Sequence, residues 1–539
     1  MSWDSFVKSF IDSYFATRPD VAVNAGRHEY DGRLPDYSEQ GLARQIAMLT
    51  DGRARAVAFD TTSLDAPRRL EREYVIATAD GLLWWMTKAD GPHHNPVWYS
   101  GALDPDVYLS RPYAPLEQRM RAYTAYARSV VKAVPQIRAN LRTPLPRTFI
   151  DRGRGIFGGF ASFFTDDVPP VFASVANPQL QREFKQANDS AIASMRAMDA
   201  WLESLRPTQT ENFALGSDLF RSMLYDIERV DTPLDELERI GRADLQRNQT
   251  ALRSACARFA PGASIADCVA RLAAHKPVGS AVEEARRQLI GLRQFVEDKQ
   301  IVTIPGPEQA RVAESPPYQR FNSAYIQIPG PYETNMPSTY YVAPPDPTWT
   351  PKERADYIPG VADLLFTSAH EVWPGHFLQF LHANRSPSKF GQVFVGYAFA
   401  EGWAHYAEEM MWESGLGEGD PETHIGQLLN ALLRDVRFLS AIGMHTKGMS
   451  VTESERMFRD EGYQDAGTAR QQAARGTFDP EYLDYTMGKL MIKKLRSDWT
   501  ATRGDRSAWR AFHDAFLTYG GPPVPLVRKA MLGTSGELF

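Results

Sequence analysis

The sequence predicts a mainly α protein, large and two-lobed, with a deep cleft and a small β element near residues 320–345. Three observations lead there. Apolar residues recur at helical spacing over most of the 539 residues. Prolines crowd into one stretch: 12 of the 37 stand at 305, 307, 316, 317, 329, 331, 337, 344, 345, 347, 351 and 359, a density helices do not tolerate. Within it, Tyr325-Ile326-Gln327-Ile328 and Ser338-Thr339-Tyr340-Tyr341-Val342 have the β-branched and aromatic character of strands. Residues 1–300 are therefore read as a helical N-terminal lobe supplying cleft wall and lid. Residues 301–360 form a partly β cleft edge, and residues 361–539 a helical lobe that carries the chemistry.

Composition narrows the function classes. Apolar content of 43% and charged content of 23% are ordinary for a globular protein. A net charge of −6 gives no electrostatic reason to expect nucleic acid. No run approaches the roughly 18 apolar residues of a membrane span, so no membrane partner is expected. The start, Met1-Ser2-Trp3-Asp4-Ser5-Phe6, lacks the basic and apolar regions of a secretory signal, which points to the cytoplasm. Cys256 and Cys268 stand twelve apart and are read as buried thiols, a disulfide being disfavoured in that compartment. Nothing in the composition speaks to oligomeric state.

The elements follow in order. Residues 3–60 read as helical with a turn at 26–36, where His28 is a loop or surface histidine. A helix at about 67–86 carries Leu70, Tyr74, Ala77, Leu82 and Leu83 at helical spacing. His93 and His94 lie in a loop between Pro92 and Pro96 with no third ligand type nearby. Helical periodicity resumes at 115–142, 178–206 and 209–228. Gly153, Gly155, Gly158 and Gly159 are read as punctuation, and no Gly-Lys-Ser follows them to make a phosphate loop. Thr232-Pro233-Leu234-Asp235-Glu236 reads as a helix start, threonine capping and proline in the first turn, running to about Ala260. Another helix spans about 280–298. The strands are read as a sheet whose edge lines the cleft, where an extended chain could add; Tyr340 and Tyr341 are then substrate contacts.

The chemistry concentrates in Ala369-His370-Glu371-Val372-Trp373-Pro374-Gly375-His376 and Ala400-Glu401-Gly402-Trp403-Ala404-His405. Two imidazoles and a carboxylate are the ligand set of a catalytic zinc that keeps one position open for water. That assigns Zn2+ to His370, His376 and Glu401, with Glu371 placed as general base. Histidines four apart share a helix face, but six residues turn about 600°. Pro374 and Gly375 offer a remedy: a helix distorted at 373–375 that returns His376 to the side of His370. Further on, Phe394, Ala398, Glu401, His405, Glu408 and Trp412 share one face of a helix near 393–413. His405 and Glu408 are read as neighbours supporting Glu401. A helix from Pro421 to about Gly448 carries Arg434, Phe438, Ala441 and His445 on one face. In Tyr485-Thr486-Met487-Gly488-Lys489, continued to Arg496, residues 485, 489 and 496 form one helical stripe. A phenol there can donate to an oxyanion, and the two cations can pair with a substrate carboxylate.

The motif His370-Glu371-x-x-Pro374-Gly375-His376, followed by Glu401-Gly402-Trp403-Ala404-x-Tyr406-Ala407-Glu408, resembles the bacterial family called domain of unknown function 885. The resemblance runs along nearly the whole chain, including Pro19 to Asp36, Tyr340-Tyr341 and Tyr485 to Lys489. Its members look like helical zinc metallopeptidases of the glutamate-ligand type. The resemblance implies zinc on His370, His376 and Glu401, Glu371 as base, and roles for Tyr485 and Arg496. It offers His445 as a transition-state donor, although the aspartate often found four residues earlier is Ala441 here. His405 departs from the family, which usually has an apolar residue. The expected activity is zinc-dependent hydrolysis of a peptide or small amide. Two alternatives stand beside it. One is an inactive peptide-binding protein on the same scaffold. The other is a helical di-iron oxidase, for which Glu401-x-x-x-His405 has the wrong spacing.

Overall fold

Short polar caps start several of the helices of this chain. Ser2, Ser38 and Asp65 each accept an amide hydrogen bond from the first turn of the helix that follows. The computed structural model describes residues 2–539 except 317–319, 321–322, 334–335, 346 and 348. Helices dominate it, with one small sheet among the described residues. The chain divides into two compact units, residues 1–213 with 329–336, and residues 214–328 with 337–539.

The first unit is helical. Trp3–Thr17 packs on Glu39–Ala58, which packs on Ala66–Leu83. Pro178–Ser204 lies along both Leu116–Asn140 and Arg147–Asp166. The last of these corrects the sequence reading, since Gly153, Gly155, Gly158 and Gly159 sit inside a helix instead of ending one. Gly153 is there for close approach: a Cβ would come within 3.0 Å of Leu202 and 3.1 Å of Pro96. His28 is also corrected. It is half-buried, stacked on Tyr113 at 3.6 Å between ring centres, with Asp31 at 3.1 Å and Glu333 at 3.6 Å.

The second unit holds the motifs. Leu234–Phe259 packs along Pro421–Thr446, and Tyr397–Glu413 along Asp484–Thr500. Val361–Glu371 meets both the Pro421–Thr446 and the Tyr397–Glu413 helices. Three expectations change here. The helix expected at 209–228 begins only at Ser217, after Gly216 with φ +82°. Pro233 itself occupies the cap position before Leu234, with no side-chain cap from Thr232. Cys256 and Cys268 form a disulfide, because the turn after Phe259 folds Ile265–Ala274 back and brings their Cα atoms to 5.8 Å.

The sheet has the order β1-β3-β2, with β1 Ala310–Glu314, β2 Ala324–Gln327 and β3 Ser338–Val342. β1 runs parallel to β3 and β2 antiparallel to it. Both expected strands are present, β1 is an addition, and residues 321–322 and 334–335 of the expected span lie outside the described residues. Tyr340 and Tyr341 are thus on the central strand, hydrogen-bonded on both sides, and not on an edge that could accept an added chain.

Candidate metal centre

The first histidine closes one helix and the second opens the next. Val361–Glu371 ends just past His370, and His376–Ala383 begins at His376. The expected distorted helix is therefore a full break, residues 372–375 forming the turn. Glycine is obligatory at 375, where a Cβ would lie 1.8 Å from the His370 carbonyl oxygen. Trp403, fully buried, donates from its indole nitrogen to the Pro374 carbonyl at 2.9 Å and so ties the turn to the Glu401 helix.

This break brings the three expected ligands together. Glu401 Oε2 lies 3.3 Å from His370 Nε2 and 3.2 Å from His376 Nε2. One ligand atom from each of the three residues lies within 4.8 Å of the others, and no other such group occurs among the described residues. Zinc–nitrogen and zinc–oxygen bonds of about 2.0–2.1 Å at tetrahedral angles separate ligand atoms by about 3.3 Å. Glu401 Oε2 is buried with no hydrogen-bond partner among the described residues, despite its two near neighbours. Three lone-pair donors thus converge without satisfying one another, and the donor set fits a small divalent cation.

The surroundings fix these groups. Glu408 is fully buried and accepts a hydrogen bond from His370 Nδ1 at 2.7 Å, which leaves Nε2 to face Glu401. Burial opposes ionisation of Glu408, yet Arg434, at 3.4 Å, and the hydrogen bond from His370 hold it well below the usual carboxylate range. For Glu401, burial is likewise outweighed by His376 and His370, and its carboxyl stays well below the ordinary value. Burial lowers His370, but the neighbouring carboxylates of Glu401 and Glu408 raise it to about 9 when no cation lies between them. Glu371, half-buried, is raised, chiefly by burial and against the pull of His370 and His376.

Tyr485 joins the cluster. Its ring stacks on that of His370 at 6.1 Å and 17°, and the ring of Tyr397 stands 5.8 Å from it. The crossing that allows this is built from glycine. A Cβ on Gly402 would lie 2.5 Å from Gly488 Cα, and one on Gly488 would lie 2.1 Å from the Ala398 carbonyl. The Glu401 and Tyr485 helices therefore touch backbone to backbone beside the two residues.

Other expected site residues lie elsewhere. His405 is fully buried behind Glu408 at 3.5 Å, with no hydrogen bond on either ring nitrogen among the described residues. Burial and then Lys489 push it down to about 4, so it stays neutral and does not reach Glu401 as a partner. His445 accepts from the Leu215 amide at Nδ1, 3.3 Å, and donates from Nε2 to the Gly476 carbonyl, 2.7 Å. Both nitrogens hold backbone, which removes it as a donor to substrate. Lys489 is fully buried against Asp244 at 2.6 Å, and Arg496 is held by Glu413 at 2.7 Å and the Tyr406 hydroxyl at 2.9 Å. Neither is free to clamp a carboxylate. Tyr340 is fully buried with its hydroxyl 3.4 Å from Ser368 Oγ, supporting the His370 helix from behind. Tyr341 faces the other side and stacks on Tyr325 at 5.1 Å. Sequence reasoning did not single out Tyr397, Arg437 or Arg475 near Tyr485; the i, i+3 pair Arg434 and Arg437 on one helix was the available signal.

Fold and site define a mainly helical protein with a partly buried His-His-Glu cluster that could hold a metal ion. The chain belongs to the family described as bacterial protein of unknown function, DUF885, which matches residues 19–531. Two solved structures share the fold. One is "a putative lipoprotein of unknown function" from Shewanella oneidensis, 24% identical, TM-score 0.81, covering 99% of this chain and 100% of that one. The other, "the putative lipoprotein" from Colwellia psychrerythraea, is 17% identical with TM-score 0.82 and covers 98% of each chain. No curated protein matches the chain. No helix among the described residues is long and apolar enough to cross a membrane.

Proposed function

We propose that the protein is a zinc-dependent hydrolase that cleaves a peptide or related amide bond. The observation that carries this reading is the convergence of Glu401 Oε2 on His370 Nε2 and His376 Nε2 at 3.2–3.3 Å, with Glu371 adjoining the first ligand. A zinc ion held by these residues supplies Lewis-acid polarisation of the amide carbonyl and an acidified water. The chain's own groups do the rest. Glu371, whose carboxyl burial raises, takes a proton from the attacking water and returns it to the leaving amine. Glu408 holds the tautomer and ring orientation of His370. The Tyr485 hydroxyl serves as donor to the oxyanion. The disulfide favours an oxidising compartment over the cytoplasm expected from the sequence.

The test is metal analysis joined to a peptide-library cleavage screen. One zinc per chain and cleavage of some peptides are expected. Glu401→Ala should lose most of the metal and all cleavage. A Glu401→Ala protein that keeps a full equivalent of zinc overturns the ligand assignment.

A further inference from the structure

Three guanidinium groups gather at Tyr485. The guanidinium carbons of Arg434, Arg437 and Arg475 lie 5.9, 4.7 and 6.0 Å from its ring centre. Two of them have counter-charges. Arg434 reaches Glu408 at 3.4 Å and bonds to Asn430, and Arg475 pairs with Asp479 at 2.8 Å. Arg437 has none among the described residues. Its Nε donates to the neutral Gln472 Oε1 at 2.8 Å, and its terminal nitrogens carry no hydrogen bond there. Three cations against these two carboxylates, 3 − 2, leave one positive charge in a largely buried place. Arg437 is only 7% exposed. The Tyr485 face offsets part of that burial through a cation–π contact, but it is not a counter-charge. Burial and then Arg475 push Arg437 down to about 10, so it remains charged at neutral pH.

A buried guanidinium without a counter-ion is costly unless an anion completes it. Gln472 anchors one nitrogen and leaves the planar fork free, which is the geometry that receives a carboxylate in two-pronged fashion. The Arg475 side chain, 28% exposed, gives the cluster access to solvent. The ring of Tyr485 bridges the arginines to His370, which puts the vacant charge beside the reacting centre.

We propose that Arg437, with Arg475 beside it, is the subsite for a substrate carboxylate next to the scissile amide. This rests on the hydrolase reading and gives its substrate class: peptides that carry a free C-terminal carboxylate or an acidic side chain at that position. The roles expected of Lys489 and Arg496 pass to these arginines.

Calorimetry on the zinc-supplemented protein tests it with three probes: N-acetyl-phenylalanine, N-acetyl-glutamic acid α-amide and N-acetyl-phenylalaninamide. At least one acid should bind about tenfold or more tighter than the amide, the worth of one charge-assisted pair. Which acid does so identifies the source of the carboxylate. Arg437→Gln should abolish the preference, and Arg437→Lys, which keeps the charge without the fork, should weaken it. Equal binding of acids and amide, no binding of any probe, or an unchanged preference in the variants overturns the subsite. If Arg437→Gln does not fold, Arg437→Lys decides by the same criterion. Peptide cleavage by the parent is scored separately. Acid preference lost on substitution, with no peptide cleaved, keeps the subsite and removes the hydrolase reading; cleavage without acid preference does the reverse.

Discussion

Glu371 differs from Glu401 by what surrounds it. Two imidazoles pin the Glu401 carboxylate in its ionised form, whereas Glu371 is raised, chiefly by burial. A ligand should be the first kind of carboxylate and a base the second. Glu371→Gln keeps size and polarity but cannot take a proton. It should retain zinc while kcat falls by several orders of magnitude, as metal analysis beside steady-state kinetics would show. Near-normal kcat would refute the assignment. Tyr485→Phe is expected to lower kcat by about tenfold to a thousandfold with little change in KM, because its hydroxyl acts on charge that develops only in the transition state. An unchanged kcat would leave the ring as a packing partner of His370 and nothing more.

At the scale of elements, the site depends on two places where backbone meets backbone, the 372–375 turn and the crossing of Gly402 on Gly488. Gly488→Ala would put a Cβ 2.1 Å from the Ala398 carbonyl, so the two helices must separate. The expected cost is at least about 1–3 kcal/mol in urea unfolding, together with a loss of zinc occupancy as Glu401 moves off the histidines. Full occupancy with unchanged stability would show that the crossing does not set the site. These devices also explain what could be read in advance. The grouping of His370, His376 and Glu401 was legible because the two histidines stand at short spacing with a proline and a glycine between them, and the glutamate heads the next strongly patterned helix. The Gly153–Gly159 helix was misread because glycine also marks close helix packing, and sequence alone does not show the Pro96 and Leu202 side chains waiting there. The stripe Tyr485, Lys489, Arg496 was correctly placed on a helix. Its environment was not legible, because the partners of Lys489 and Arg496 come from residues 244, 406 and 413. Burial turned two expected substrate cations into structural ones, and the same blindness hid Arg437.

Across the whole second unit, buried charge sets how stability responds to pH. Lys489 is fully buried with Asp244 at 2.6 Å, Glu409 at 3.7 Å and Asp435 at 4.0 Å. Removing the cation leaves carboxylates without their main compensation, so Lys489→Met should cost about 3–5 kcal/mol by urea unfolding. It should shift KM no more for acidic than for amidated substrates. Glu228 and Asp484 work the other way. Both are buried at 2% and 1% exposure; Glu228 accepts from the Ala398 amide at 3.1 Å, and Asp484 faces Glu228. Burial raises Glu228 to about 7, and burial with the neighbouring Glu228 raises Asp484 as well. A carboxyl whose folded pKa is raised contributes stability that is fully present below its unfolded pKa, about 4.3, and is lost as pH rises through the folded value. Between about pH 4.3 and 7 the parent should therefore lose up to about 1.4 kcal/mol per pH unit from Glu228. Glu228→Gln can still accept from the Ala398 amide through its carbonyl oxygen but has no proton to lose. Its stability should match the parent near pH 4.5 and exceed it at pH 8, when both are measured by urea unfolding on the same metal-loaded sample. A constant difference across that range would mean that Glu228 is ionised in the folded chain at all these pH values, and the paired-carboxyl account of this helix junction would fall.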